Sequence, residues 1–186
     1  MHRIAVFASG KGTNFEAIAA ACSRGEIDAQ VALLVCDKPQ AEVVAKAEKL
    51  GIECFAFSAK EYSSKEEYEQ KIVEMLDSRG VELVCLAGYM RIVGQRLLSA
   101  YGGRIINIHP SLLPAFAGAR AVEQAIEYGV KVFGITIHYV DQSLDGGKII
   151  AQRAFEYDGN DAEQVHRIGQ QIEHKLYVET IKKILK

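Results

Sequence analysis

Short apolar segments alternate with helical patterns along most of the chain, and glycine often closes the helix. The first apolar segment spans residues 4–8, and a helical pattern over residues 14–24 ends at Gly25. Glycine just past a helix is the usual left-handed stop. Apolar runs such as residues 31–36 lack the alternation of a half-solvated strand, which indicates burial on both faces. The pattern predicts an α/β fold: a three-layer, Rossmann-like, mostly parallel sheet with helices on both faces.

The same criteria predict the remaining elements. Further strands are expected over residues 53–57, 83–87, 105–108, 132–140 and 149–155, and helices over residues 41–50, 64–79, 95–100, 120–128 and 161–186. The connection between the last two strands is too short for a crossover helix, so we expect an antiparallel C-terminal strand. A chain of 186 residues is expected to form a single domain.

Composition limits the kinds of partner that the chain can bind. The formal net charge is −2 and both signs are spread along the sequence. We therefore expect a small-molecule substrate, and neither nucleic acid nor membrane as a partner. The four cysteines, at positions 22, 36, 54 and 85, lie far apart and show no metal-ligand spacing. This favours reduced thiols in a cytoplasmic protein without a metal site.

The loop Ser9–Asn14 follows the first predicted strand, at the edge where open parallel sheets bind ligands. It is not a P-loop, because Ala5 stands where that motif has its first glycine. It also departs from the dinucleotide fingerprint at Phe15. Its glycines and helix-start N–H groups favour a phosphate cradle. A tight turn without a ligand remains an alternative, as does a nicotinamide nucleotide whose ribose would contact Asp37.

Two polar motifs point to catalysis. Residues 107–114 read NIHPSLLP and residues 144–147 read LDGG. Alternation along a strand puts Asn107 and His109 on the same side. If Asp145 lies beside His109, its carboxylate stabilises the charged imidazole, and the imidazolium and the amide can both donate to a developing oxyanion. The alternatives are an ordinary buried or surface histidine and a simple Asp-Gly turn.

No serine or cysteine lies in a nucleophile motif. The pattern Gly-x-Ser-x-Gly is absent, and Cys85 falls inside a predicted strand. This favours direct transfer between two bound substrates over a covalent acyl-enzyme. The other four histidines, His2, His138, His166 and His174, are interpreted as satisfied core or surface residues.

Four motifs together resemble the phosphoribosylglycinamide formyltransferase family of folate-dependent enzymes. They are SGKGTNF at residues 9–15, LAGYMRI at residues 86–92, and the NIHPSLLP and LDGG motifs. The resemblance covers essentially the whole chain. It implies formyl transfer from 10-formyltetrahydrofolate to the amine of N1-(5-phospho-D-ribosyl)glycinamide in de novo purine (IMP) biosynthesis. The short chain favours this family over methionyl-tRNA formyltransferases and formyltetrahydrofolate hydrolases, which carry an additional domain.

The resemblance also implies roles for individual residues. Asn107, His109 and Asp145 match the family's catalytic residues. Contacts to the ribonucleotide are implied for Gly12, Thr13, Asn14 and Glu173. Contacts to the folate are implied for Lys65, Met90, Arg91, Ile92, Val93, Asn107, Val140, Asp141 and Asp145. Residues 1–100 would then bind the phosphate and ribonucleotide, and residues 101–186 would carry the folate and catalytic motifs.

The sequence departs from the family pattern at three places. Ala117 stands where many members have proline, residues 119–122 lack a histidine found in some relatives, and Lys148 replaces a frequent proline. We therefore expect an altered shape of the loop 115–122 and an unchanged reaction. A non-catalytic nucleotide-binding domain and an enzyme for a different amine are the rival hypotheses. The sequence leaves open whether the protein is a monomer or a homodimer.

Overall fold

The computed structural model describes residues 1–186. Its strands are β1 (His2–Ala8), β2 (Ala29–Cys36), β3 (Cys54–Ala56), β4 (Leu83–Leu86), β5 (Ile105–His109), β6 (Val132–Tyr139) and β7 (Ile149–Glu156). Its helices are α1 (Thr13–Ser23), α2 (Glu42–Lys49), α3 (Lys65–Ser78), α4 (Gln95–Tyr101), α5 (Ala121–Tyr128) and α6 (Ala162–Ile184). All the predicted strands and helices are present, and a short 3₁₀ turn at Ala59–Glu61 is an additional element.

The strands form one seven-stranded sheet in the order β3-β2-β1-β4-β5-β6-β7. The first five strands of the chain pair in parallel, and β6 is antiparallel to both β5 and β7. The predicted fold class is therefore confirmed. The strand order changes direction between β1 and β4, and such a switch point opens a crevice at the carboxyl ends of the strands.

Apolar side chains fill both faces of the sheet. Along β1, Ile4 and Val6 belong to one buried cluster with α1, α2 and α6, whereas Ala5 and Phe7 belong to a second cluster with α3 and α4. Successive residues of one strand thus enter opposite cores, as the period of a strand requires. This explains why the strand sequences are continuously apolar instead of alternating.

Local sequence signals set several helix boundaries. The Ser64 hydroxyl accepts the N–H of Glu67 at 3.2 Å and caps α3, and the Asp161 carboxylate caps α6 in the same way. Gly25, the stop predicted for the first helix, has a φ of 72°. None of the helices combines the length and the apolar content that crossing a membrane requires.

Candidate active site

A cleft of about 880 Å³ lies at the carboxyl ends of the parallel strands. The loops after β1, β4 and β5 line it, together with the segment between β6 and β7 and the middle of α6. Ligand pockets typically measure about 300–1,000 Å³. The cleft is therefore large enough for a substantial ligand, and it lies at the switch point of the sheet.

The cleft contains the Asn107, His109 and Asp145 side chains that the sequence singles out. His109 is the last residue of β5, only 6 % exposed, and its Nδ1 lies 3.5 Å from Asp145 Oδ2. Its Nε2 lies 2.9 Å from the carbonyl oxygen of Phe116. Carbonyl and carboxylate oxygens only accept hydrogen bonds. Both ring nitrogens of His109 therefore face an oxygen acceptor.

Asp145 lies in the turn between β6 and β7, in the left-handed backbone region with a φ of 51°. Its Oδ2 also accepts the N–H of Gly118 at 2.8 Å. Because Phe116 contacts His109 and Gly118 contacts Asp145, the loop after β5 closes over the pair. In this loop Phe116 and Arg120 have φ values of 54° and 58°, which few non-glycine residues adopt.

His138 is a member of the cluster that the sequence analysis missed. Its Nε2 lies 3.2 Å from Asn107 Nδ2 and 3.7 Å from Asp145 Oδ1, and the residue is 2 % exposed. From the sequence, His138 is interpreted as a satisfied core or surface residue; it is a buried residue, and it also contacts the candidate catalytic residues. In the sheet His138 is the direct partner of Asn107 across β5 and β6. Predicting that β5 and β6 pair in this register would have identified His138 as a neighbour of Asn107.

The loop after β1 forms one end of the cleft and is held by α6. Asn14 Nδ2 donates to Glu173 Oε2 at 2.8 Å, and Gln170 Nε2 donates to Thr13 Oγ1 at 2.9 Å. Gly12 precedes α1 with a φ of 72°, and no side chain caps this helix. The free N–H groups of its first turn are a suitable site for an anion. The structure thus brings Glu173 to the loop Gly12–Asn14.

Asp37, the candidate ribose ligand of the nicotinamide alternative, is buried beneath the cleft. Its carboxylate accepts the Ser9 hydroxyl and, at 3.0 Å, the Arg91 Nε–H. The Ser9 oxygen in turn accepts the N–H of Met90 at 2.8 Å. Asp37 therefore ties the loop after β4 to the loop after β1, and it does not line the cleft.

The segment Met90–Val93 forms an apolar wall at the other end of the cleft. Met90 and Ile92 are 70 % and 71 % exposed, which is unusual for large apolar side chains. The segment is anchored at its end, where the buried Glu69 accepts the N–H of Gly94 at 2.6 Å. Tyr89, which precedes this segment, also lines the cleft, and burial raises the pKa of its hydroxyl well above the usual range.

Val140 and Asp141 lie on the opposite wall, with the exposed Leu144 beside them. Hydrogen bonds from the hydroxyl and the N–H of Ser143 lower the pKa of Asp141, so its carboxylate is ionised at neutral pH. Lys65 is the exception among the residues singled out for folate binding. It is the first residue of α3 and lies outside the lining of the cleft.

The fold and the site together define a class of protein. A mostly parallel α/β sheet with a ligand-sized cleft at its switch point is the arrangement of doubly wound proteins that bind small molecules, and the Asn–His–Asp cluster in the cleft makes this protein a candidate enzyme. The site has a candidate anion-binding end, an apolar end, and the polar cluster between them. Comparison with known proteins narrows this class.

The family model described as formyl transferase matches residues 2–181. Phosphoribosylglycinamide formyltransferase of Bacillus subtilis is 55% identical over 186 residues, which is 100% of this chain and 95% of that protein. The enzyme of that name from Haemophilus influenzae is 37% identical, over 98% of this chain and 86% of its own. The crystal structure of glycinamide ribonucleotide transformylase 1 from Geobacillus kaustophilus superimposes with a TM-score of 0.97, at 48% identity and full coverage of both chains. The chain belongs to the formyl transferase family, among its phosphoribosylglycinamide formyltransferases, as the motifs predicted.

Proposed function

We propose that the protein transfers the formyl group of 10-formyltetrahydrofolate to the amine of N1-(5-phospho-D-ribosyl)glycinamide, in cytoplasmic purine biosynthesis. The observation that carries the proposal is the cluster of Asn107, His109 and Asp145 inside the cleft. Full-length similarity to relatives that are named for this activity supports it. The rival of a non-catalytic nucleotide-binding domain has no use for such a cluster.

In the proposed reaction the substrate amine attacks the formyl carbon directly. A bond forms between the amine nitrogen and that carbon, and the bond from the carbon to the folate nitrogen then breaks. The proton that the amine loses ends on the folate nitrogen. Asn107 and protonated His109 donate to the oxyanion that develops on the formyl oxygen, and Asp145 keeps His109 charged. To donate to this oxygen, His109 Nε2 gives up its hydrogen bond to the Phe116 carbonyl and bonds to the substrate oxygen instead.

The two ends of the cleft suit the two substrates. We assign the ribonucleotide phosphate to the loop Gly12–Asn14, with Glu173 beside it, because helix-start N–H groups bind anions. We assign the folate ring to the wall Met90–Val93, where Met90 and Ile92 offer exposed apolar surface, and to the facing residues Val140 and Asp141. Of the two parts expected from the sequence, residues 1–100 supply the phosphate loop and also the wall Met90–Val93 that we assign to the folate. Residues 101–186 supply the catalytic groups, the folate-facing residues Val140 and Asp141, and Glu173 beside the ribonucleotide.

Lys65 has a separate place in the proposal. It begins α3 outside the cleft lining, so it does not contact the folate ring. Its ammonium is assigned to the carboxylate of the folate glutamate, which extends away from the ring. A lysine pairs with such a carboxylate as a point charge, without the two parallel hydrogen bonds of an arginine.

The deciding experiment incubates the protein with both substrates and follows folate deformylation together with the formylated product. We expect deformylation only when the ribonucleotide is present, in a one-to-one ratio with product. Deformylation without ribonucleotide indicates a hydrolase, and no turnover at all rejects the proposal. Product formation with another amine, at higher kcat/KM than with the ribonucleotide, supports the rival acceptor.

A further inference from the structure

The hydrogen bonds of His138 determine which of its nitrogens carries a proton. Nδ1 lies 2.9 Å from the carbonyl oxygen of Tyr139, and a carbonyl oxygen only accepts. Nδ1 is therefore the N–H of this ring. In the neutral imidazole the other nitrogen, Nε2, then has no hydrogen and acts as an acceptor. At 2 % exposure, a neutral ring costs less to bury than a charged one.

The acceptor nitrogen of His138 constrains the Asn107 side chain. Nε2 lies 3.2 Å from the end of that amide, which is a hydrogen-bond distance. An acceptor attracts the NH₂ end of an amide and repels the oxygen end. The nitrogen of Asn107 therefore faces His138, as the structure has it, and one of its two hydrogens is used by the imidazole. The second hydrogen remains available to a substrate oxygen.

We propose that His138 is a positioning residue that fixes the orientation of the Asn107 amide, so that its nitrogen is held at the catalytic cluster. The inference rests on the proposed function, in which Asn107 donates to the oxyanion. If the amide turned over, an oxygen would take the place of the nitrogen, and an oxygen cannot donate. Asp145 Oδ1 lies 3.7 Å from the same imidazole nitrogen, beyond hydrogen-bond distance, whereas the Asn107 amide lies within it.

The first test reads the tautomer of His138 directly in the substrate-free protein. In ¹⁵N-labelled protein at neutral pH, two-bond couplings in the imidazole spectrum distinguish the three protonation forms, and the signal is assigned through its loss in His138→Gln. We expect the form with hydrogen on Nδ1 only. A ring protonated on Nε2, alone or together with Nδ1, overturns the proposal. Because no substrate is used, an inactive protein counts against formyl transfer and leaves this test valid.

The second test is a double-mutant cycle on formyl transfer. His138→Phe keeps a flat ring but removes both nitrogens, and we expect kcat to fall about tenfold to a hundredfold. The fall is smaller than for loss of an oxyanion donor, typically about 10²–10³, because the amide can still donate in part of its orientations. In an Asn107→Ala background the same substitution is expected to change kcat less than about twofold, since the group that it positions is gone.

A merely structural role predicts a different result. If His138 only stabilised the fold, His138→Phe would lower kcat by the same factor with and without Asn107, and this outcome overturns the proposal. His138→Gln can return an acceptor oxygen near the position of Nε2, so we expect it to recover most of kcat.

The KM for the ribonucleotide, bound at the far end of the cleft, should not change. His2→Phe, at an exposed histidine paired with Glu82, is the matched control for replacing histidine by phenylalanine. If His138→Phe does not fold, the Gln variant and the tautomer measurement still decide the question.

Discussion

Asp145 has more contacts in the candidate catalytic cluster than a turn residue needs. Its carboxylate accepts the Gly118 N–H and lies within 3.5 Å of His109 and 3.7 Å of His138. The Gly118 N–H donates to Oδ2, and the His109 Nδ1 faces the same oxygen. A carboxylate at this position therefore lies against both imidazole rings and also holds the loop after β5 onto the cluster.

Replacing Asp145 by asparagine should remove activity while keeping the fold. Asparagine adopts the left-handed region readily, so the backbone at φ 51° is not strained further. Its amide is neutral and turns an NH₂ group toward one of the donors. We expect kcat to fall at least about a hundredfold, comparable to the loss of an oxyanion donor, with an unchanged circular dichroism spectrum. Asp158→Asn, at an exposed carboxylate paired with Lys131, is the control. Near-normal kcat in Asp145→Asn would remove Asp145 from the mechanism.

At the scale of single elements, the first loop depends on the close approach of Gly12 to α2. Gly12 has a φ of 72°, and a Cβ at this position would collide with the side chain of Val43. A Cβ at Gly10 would meet nothing within 4 Å, and its φ is not in the left-handed region. Space and backbone conformation therefore require glycine at position 12 and permit alanine at position 10.

Gly12→Ala is accordingly expected to destabilise the protein by at least about 1 kcal/mol, since a left-handed alanine alone costs about that much. Gly10→Ala should change the free energy of unfolding by less than about 0.5 kcal/mol, as is usual away from such features. Urea denaturation measures both. If the loop binds the ribonucleotide phosphate, Gly12→Ala also raises the KM for that substrate. Equal stability of the two variants would contradict the steric argument.

No side chain of its own caps the start of helix α4, and the Glu69 carboxylate of α3 serves as its cap. The carboxylate accepts the N–H groups of Gly94 and Leu97, at 2.6 and 3.4 Å, and is 2 % exposed. The negative charge at a helix N-terminus is favourable. Since the wall Met90–Val93 runs directly into Gly94, this cap also fixes the apolar end of the cleft.

We expect Glu69→Gln to lower the free energy of unfolding by about 1 kcal/mol, the difference between hydrogen bonds to charged and to neutral acceptors. Amide hydrogen exchange at Gly94 and Leu97 should accelerate, and the KM for the folate should rise severalfold. The KM for the ribonucleotide should stay unchanged. Glu66→Gln, at an exposed acid in the first turn of the same helix, is the control. Unchanged exchange at both amides would show that Glu69 does not cap α4.

For the molecule as a whole, α6 joins the C-terminal residues to the centre of the sheet. The hydroxyl of Tyr177 is fully buried and donates to the Leu86 carbonyl at 2.8 Å, with the Ile106 carbonyl at 3.3 Å. The same helix carries Glu173, which contacts the first loop through Asn14. Helix α6 therefore both packs on the centre of the sheet and supplies one side of the cleft.

Tyr177→Phe should lower the free energy of unfolding by about 1 kcal/mol, because it removes a buried hydrogen bond. For a domain of this size such a change lowers Tm by a few degrees, about 2–4 °C per kcal/mol. The loss should appear in a single cooperative transition monitored by fluorescence and by circular dichroism. Tyr128→Phe, at a tyrosine that is 82 % exposed, should have almost no effect. A separate early transition for α6 would contradict this description.

The sequence by itself was sufficient for the elements and for part of the site. Strand and helix patterns arise from the backbone periods of 2 and 3.6 residues, so they can be read locally. The same local rule placed Asn107 and His109 on one side of β5, and the structure brings both into the cleft. The Ser9–Asn14 loop was recognisable because it must follow the first strand at the edge where parallel sheets bind ligands.

Only the tertiary structure decided which distant residues meet. The antiparallel placement of β6 beside β5 brings His138 opposite Asn107, and no local period encodes the choice of neighbouring strand. The pairing of Asn14 with Glu173 depends on how α6 packs against α1. The contacts of Asp145 depend on the loop after β5 folding back over it. Local patterns fix the conformation of each segment, whereas such contacts follow from how the packed core arranges the segments in space.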